Sequence, residues 1–194
     1  LGARVSTIEE IAAAGDVDAV IICTPTDTHA DLIEKFARAG KAIFCEKPVD
    51  LSITRVDECL AAVAKAGVPL GIGFNRRFDS HFAALQERLA AGEIGDPEMV
   101  VITSRDPSAP PVEYIRVSGG MFRDMTIHDF DMARFLLSEE PESVFAAASV
   151  LTDPQISELG DFDSASVILT TASGQQALIS NSRRASYGYD QRIE

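Results

Sequence analysis

The chain has 194 residues, 46% of them hydrophobic and 24% charged, enough apolar content to bury a core and too little polarity for a disordered segment. A formal net charge of -13 argues against a phosphate-backbone partner, so no nucleic-acid role is expected and a small-molecule substrate fits better. No apolar run approaches the ~18 residues of a membrane span, and Cys23, Cys45 and Cys59 show no C-x-x-C spacing, so neither membrane, metal nor disulfide is expected and reduced cytoplasmic thiols are the simple reading. The chain opens at Leu1 without a methionine and stops at Arg192-Ile193-Glu194 inside what reads as a strand, so both ends are expected to be truncated.

In chain order, Ile8 to Ala14 predicts a short helix, and Val17 to Cys23 is a β-branched run of the kind that forms buried parallel strands. Thr28 offers an N-cap for a helix with Leu32, Ile33, Phe36 and Ala37 on its apolar face, closed by Gly40. Lys41 to Cys45 reads as a strand, Thr54 to Ala66 as a helix stopped by Gly67, and Val68 to Phe74 as a third strand. Strands alternating with helices require crossover connections, which give a parallel sheet with helices on both faces, half of a doubly wound α/β sheet. Ligands of such sheets sit beyond the carboxyl ends of the strands. That rule places Thr24-Pro25, Glu46-Lys47-Pro48 and Asn75-Arg76-Arg77 at one rim.

After a helix around Ser80 to Ala91, the Gly95-Asp96-Pro97 break changes the pattern to mostly strand, and a domain boundary is placed near Phe74 to Asp79, giving domains of 1–75 and 76–194. Glu98 to Ser104 predicts a strand, Arg105 to Gly120 a loop, and Met121 to Leu137 a single helix. Strands follow at Ser143 to Leu151, Asp163 to Thr171 and Gln175 to Arg183, the last two joined by an Ala172-Ser173-Gly174 turn. The second domain is therefore expected to be an α+β unit with a mostly antiparallel sheet.

Several residues carry chemistry. Lys47 leaves a strand at the ligand rim just before a proline that stiffens the exit, where its ammonium can polarise a hydroxyl, or it is an ordinary surface lysine paired with Glu46. Asp124 and His128 stand four apart, on one face of the predicted helix, a spacing that suits a carboxylate orienting an imidazole general base whose ordinary pKa is ~6.5; the alternative is a capping aspartate and a surface histidine. His29, at a helix start, is positioned for a cofactor contact or faces solvent, while His81 has no acidic partner and reads as structural. Arg76 and Arg77 offer one arginine for ligand and one for a carboxylate such as Asp79. Asp106 either accepts hydroxyls of a substrate or initiates a turn before Pro107.

The Ala19 to His29 stretch, Cys45-Glu46-Lys47-Pro48, Gly73-Phe74-Asn75-Arg76-Arg77-Phe78, and Gly119-Gly120 through Asp124 with His128-Asp129-Phe130-Asp131 together resemble the Gfo/Idh/MocA oxidoreductase family across nearly the whole chain. Within it, Ser104 to Pro107, Phe122 to Asp131 and Tyr187-Gly188-Tyr189-Asp190 look most like inositol 2-dehydrogenases. The resemblance implies a Rossmann-type domain, a catalytic set of Lys47, Asp124 and His128, and a nicotinamide side lined by Cys23, Thr24, Pro25, His29, Glu46, Lys47, Asn75 and Arg76. It also implies a substrate side of Lys47, Arg76, Asp106, Asp124, His128, Tyr187 and Tyr189.

The implied reaction moves a hydride from a polyol or sugar hydroxyl to NAD, or NADP, with myo-inositol oxidised to 2-keto-inositol as the leading case. His128 would take the proton while Lys47 steadies the alkoxide and Asp124 fixes the imidazole. Another sugar substrate, or a nucleotide-sensing regulator without catalysis, is the competing reading. In the family the G-x-G-x-x-G loop precedes Leu1 and more of the second sheet follows Glu194, so the 194-residue chain alone is expected to bind dinucleotide poorly and the longer protein to form a homo-oligomer.

Overall fold

In a computed structural model, which describes residues 2–194, the β-branched run ahead of Thr24 becomes β1 (Ala19–Ile22), preceded by α1 (Ile8–Ala13). A reciprocal capping box starts α1: the Thr7 hydroxyl accepts from Glu10 N at 3.2 Å and the Glu10 carboxylate from Thr7 N at 2.8 Å. The chain continues through α2 (His29–Arg38), β2 (Ala42–Cys45), α3 (Ile53–Ala66) and β3 (Leu70–Ile72). The three strands pair in parallel in the order β1-β2-β3, with Ile22 level with Cys45 and Cys45 level with Ile72. Gly40 and Gly67, at φ of 73° and 67°, stop the two helices in the left-handed conformation that glycine adopts without a Cβ penalty.

Val20, Ile22, Ile43 and Cys45 bury against Ile33 and Phe36 of α2 and Cys59 and Val63 of α3. Both helices thus cover one face of the sheet. On the other face Ile21 is 74% exposed and Phe44 38%, so the cover expected on both faces is present on one. The expected Thr28 cap is also absent. Thr28 sits in a helical conformation at the end of a 3₁₀ turn (Thr26–Thr28) that runs straight into α2, and its hydroxyl donates to the Pro25 carbonyl at 2.7 Å.

This first unit ends at Gly73, and a second compact unit runs Phe74–Glu194. The second unit contains α4 (Ser80–Ala90), β4 (Met99–Arg105), α5 (Val112–Ser118), a π turn (Phe122–Thr126), α6 (Ile127–Leu137), β5 (Pro141–Ser149), α7 (Pro154–Glu158), β6 (Ser164–Thr171), β7 (Gln176–Ser182) and β8 (Asp190–Ile193). Its strands lie in the order β5-β6-β7-β4-β8. The sheet is mixed: β4 and β7 are parallel, and the other neighbours are antiparallel. Strict alternation in β4, β6 and β7 buries Val100, Ile102, Val167, Leu169, Ala177 and Ile179 beneath Met132, Ala133, Leu136 and Leu137 of α6. Each fully buried large aliphatic side chain there contributes about 1.5–3 kcal/mol.

Two expectations for this unit change. The stretch taken as a loop contains α5, which begins after Pro110-Pro111 and ends where Gly119 turns left-handed at φ 85°. The stretch taken as one helix opens as a π turn before becoming α6. The Ala172-Ser173-Gly174 turn between β6 and β7 is present, with Gly174 at φ 93° and its N–H donating to Thr171 O at 3.1 Å.

One buried carboxylate organises the loop ahead of β6. Asp163 accepts from the backbone N–H groups of Leu151, Thr152 and Asp153 and from the hydroxyls of Thr152 and Ser164, all at 2.7–3.1 Å. Burial alone would raise its pKa, but these donors override it and hold the carboxyl well below its ordinary 3.8. A depressed carboxylate pKa contributes stability that is complete above the unfolded value and disappears as pH falls through the folded one. Asp163→Asn should therefore lower the unfolding free energy at neutral pH by about 1–3 kcal/mol, measured by urea denaturation, and the gap from wild type should narrow in acid.

Candidate active site

The first unit builds one edge of a site from the ends of its strands. Past β1 the chain exposes Cys23, Thr24 and Pro25; past β2 it turns through half-buried Glu46 and Lys47 and buried Pro48, with a cis Lys47-Pro48 peptide. Glu46 N donates to Ile22 O at 3.0 Å and Gly73 N to Cys45 O at 2.7 Å, which carries the sheet one step beyond its regular strands. Gly73 sits tight against that turn: a Cβ there would lie 3.3 Å from Glu46 Cα and 2.9 Å from the movable Glu46 Oε2, so Glu46 would have to give way.

His29 ties two of these turns together. Its Nδ1 lies 2.7 Å from the Pro48 carbonyl, its Nε2 lies 2.7 Å from the Thr24 carbonyl, and the ring is 1% exposed. The expected direct cofactor contact is corrected accordingly, because both ring nitrogens face backbone carbonyls and no ring edge is left for a ligand. The residue acts instead as a brace for the turns that present Thr24 and Lys47. Thr28 adds to it: since its own proton goes to Pro25 O, the 2.6 Å contact between the hydroxyls of Thr24 and Thr28 is made by the Thr24 proton.

The second unit carries the other candidates. Asp124 sits in the π turn and His128 in the first turn of α6, on one continuous helical run. The His128 ring stands edge-on to Phe74, with centroids 6.3 Å apart and an interplanar angle of 84°. Because the π turn is wider than an α turn, the even 100° spacing assumed from sequence does not describe the Asp124 to His128 interval. Two left-handed glycines precede it, and Gly120 has a specific reason: a Cβ there would lie 2.7 Å from the Asp161 Oδ1 that accepts the Met121 N–H at 2.8 Å.

Around Asp124 gathers a polar group that only partly follows the sequence reading. Tyr114, on α5, donates its phenol hydrogen to Asp124 Oδ1 at 2.8 Å. Burial and this bond push the phenol up to about 12. Asp106, just past β4, is held by its backbone N–H on Ser182 O at 3.0 Å, and burial followed by the nearby Asp124 charge raises its carboxyl above the ordinary value. Tyr114 was hidden in the supposed loop; Pro-Pro before and Gly-Gly after a seven-residue segment were the available start and stop signals.

Behind His128 lies a buried network. Asp129, fully buried, pairs with Arg76 and accepts from Ser104 Oγ at 2.6 Å and Asn181 Nδ2 at 2.7 Å, while Asn181 Oδ1 accepts from Thr126 Oγ1 at 2.7 Å. Ser104 and Asn181 meet because they are register partners on the buried face of β4 and β7. Arg76, expected to face ligand, is committed to this network. Gln191 completes it when its amide oxygen faces Arg76 Nη1 and Nε at 2.8 and 2.6 Å and its nitrogen donates to the Tyr189 hydroxyl at 2.7 Å.

Arg77 pairs with Asp131 through two 2.7 Å bonds and lies 4.9 Å over the Phe135 ring, not with Asp79, which caps α4 instead. Asn75 is exposed at the head of the 3₁₀ turn Asn75–Phe78, and Tyr187, also exposed, donates to Asp190 at 2.7 Å. Among the described residues no group of three or more His, Cys, Asp or Glu side chains is placed to hold a metal ion.

A parallel three-strand sheet flanked by helices, followed by a unit with a mixed five-strand sheet and a long helical run, defines an α/β chain of two units. Residues 2–74 match the oxidoreductase family with an NAD-binding Rossmann fold, and residues 82–194 match the GFO/IDH/MocA C-terminal domain. The chain belongs to the GFO/IDH/MocA family. It is 69% identical over 193 residues to inositol 2-dehydrogenase of Rhizobium meliloti, covering 100% of this chain and 58% of that protein. It is 55% identical over 179 residues to myo-inositol 2-dehydrogenase of Thermotoga maritima, covering 92% and 54%.

The crystal structure of scyllo-inositol dehydrogenase from Lactobacillus casei with bound NAD(H) and scyllo-inositol superposes with a TM-score of 0.86 at 27% identity, over 97% of this chain and 57% of that one. The chain thus spans somewhat over half the length of these relatives.

Removing the Asp129 carboxylate should strand a buried guanidinium. Asp129→Ala is expected to cost about 3–5 kcal/mol of stability, whereas Asp131→Ala, which frees the more exposed Arg77, should cost about 1 kcal/mol; thermal and urea unfolding of the two variants check the ranking.

Proposed function

We propose that this chain is the catalytic portion of an NAD-dependent dehydrogenase that oxidises a CH–OH group of a polyol, with myo-inositol, converted to 2-keto-inositol, as the substrate. The observation that carries the reading is the Asp124 and His128 pair on one helical run, with Tyr114 donating to Asp124 at 2.8 Å and a second carboxylate, Asp106, that feels the Asp124 charge. Polyols offer many hydroxyl donors, and a clustered pair of carboxylates is suited to accept them. The 69% identity to an inositol 2-dehydrogenase supports the substrate, and the related structure with NAD(H) and scyllo-inositol supports the cofactor.

The first unit fits the nicotinamide end of NAD. The exposed Cys23-Thr24-Pro25 turn and the Lys47 turn occupy the carboxyl edge of a parallel sheet, where dinucleotides bind in this fold class, and His29 fixes both backbones. When bound, the nicotinamide supplies the hydride acceptor. Lys47, with a cationic ammonium, stabilises the alkoxide that develops as the substrate hydroxyl loses its proton. His128 takes that proton, and Asp124 orients the imidazole or a neighbouring hydroxyl. Asp106, Tyr187 and Tyr189 read the remaining hydroxyls.

The three cysteines are all free thiols, which fits the reducing cytoplasm. Exposed Phe145 and Ile168, cross-strand partners on β5 and β6, fit an apolar contact between copies in a homo-oligomer.

The experiment is a steady-state assay of the full-length protein with NAD or NADP and a panel of inositols and aldoses, followed at 340 nm. His128→Ala should lower kcat by roughly 10²–10⁴ while NAD still binds. Cofactor binding without hydride transfer to any substrate in the wild type would instead mark a nucleotide-sensing protein.

A further inference from the structure

We infer that Tyr114 is a positioning residue for Asp124, its phenol fixing the carboxylate on the π turn so that Asp124 meets its partners in one orientation. The inference rests on the polyol dehydrogenase reading for its catalytic consequence, but the contact stands by itself. Tyr114 Oη lies 2.8 Å from Asp124 Oδ1, across ten residues of chain and between two separately built elements, α5 and the π turn.

Both elements need the help. The π turn is wide, with i to i+5 geometry that leaves its side chains less crowded by the preceding turn than an α-helix would. Asp124 and Asp106 also act on one another electrostatically, and like charges repel. A neutral donor on one carboxylate oxygen opposes both effects: it restricts rotation of the carboxylate plane and stabilises the Asp124 charge in the field of Asp106.

The proton inventory makes the direction of the bond unambiguous. An ionised carboxylate only accepts, so the phenol must donate, and it can do so only while protonated. Burial and Asp124 itself raise the phenol to about 12, so it remains a donor across the working range of a cytoplasmic enzyme. The other charged groups acting on this cluster are Arg183, which favours the ionised forms of Tyr114 and Asp106, and Arg76 and Asp129, which act on Asp106 in opposite senses. α5 is anchored by Ile115 and Ser118, both buried, which gives the phenol a fixed base from which to hold Asp124.

The test is Tyr114→Phe in the full-length enzyme. Losing one hydrogen bond to a charged group should lower kcat for myo-inositol about tenfold, leave KM within about twofold, and leave NAD affinity and the melting temperature unchanged. In protein labelled with 13C at tyrosine Cζ, the resonance absent from Tyr114→Phe should shift in Asp124→Ala.

A rise in KM with wild-type kcat would overturn the inference in favour of direct substrate contact. Wild-type kinetics in Tyr114→Phe, or a Tyr114 resonance indifferent to Asp124→Ala, would overturn it outright. Wild-type protein that turns over no polyol overturns the activity and the catalytic purpose of the contact together. That failure is distinct, because the resonance still reads the bond itself.

Discussion

The buried carboxylate of Asp129 is the constraint on which the second unit depends. An aspartate with no solvent exposure is tolerated only if its charge and lone pairs are met, and here a guanidinium, a hydroxyl and an amide converge on it from three different elements. Arg76 comes from the start of the unit, Ser104 from β4 and Asn181 from β7, so the network sets where the helical run lies against the sheet. His128 is the next residue along the backbone. Its placement is inherited from a buried, fully paired neighbour, and the apolar contacts of Met132 and Leu136 one and two turns later fix the same helix from its other end.

The first unit solves the equivalent problem with a buried histidine and a glycine. A parallel sheet delivers strand ends to one edge but leaves the turns beyond them without ladder bonds. His29 supplies the missing bonds by reaching two carbonyls from the first residue of α2, and Gly73 lets Glu46 close against the end of β3. Lys47 therefore leaves from a turn whose neighbours are held by backbone contacts on both sides. The two units use different means to the same end: the candidate side chains project from segments whose backbone is held by buried polar contacts.

Much of this was legible in the amino-acid sequence, and the failures have physical causes. Runs such as Val20-Ile21-Ile22 and the glycines at 40 and 67 mark strands and helix ends through local sterics, so the alternating first unit could be read directly. Motif and rim placement are what single out Lys47, Asp124 and His128 as candidates. The π turn was not legible, since hydrophobic periodicity over so few residues does not distinguish four residues per turn from five. α5 was lost because Pro and Gly were read as loop signals when they were a start and a stop. The parallel pairing of β4 with β7 is a long-range choice that no local pattern encodes. Arg76 and His29 were read as ligand contacts because buried polar roles depend on partners distant in sequence, Asp129 and Ser104 for one and Pro48 for the other.

The π turn makes residue count, as well as residue identity, part of the design of the second unit. A π turn accommodates one residue more than an α turn over the same stretch of axis, so it behaves as an insertion absorbed within a helix. Deleting a single residue between Gly120 and Ile127 would let the segment close to a regular α-helix with the flanking turns nearly in phase, so that the side chains inside the widened turn are the ones redirected. Asp124 would then face a different direction while every side chain downstream stayed in place. Among relatives, a one-residue gap in this short interval therefore signals a change in site geometry even where the flanking motif residues are all retained.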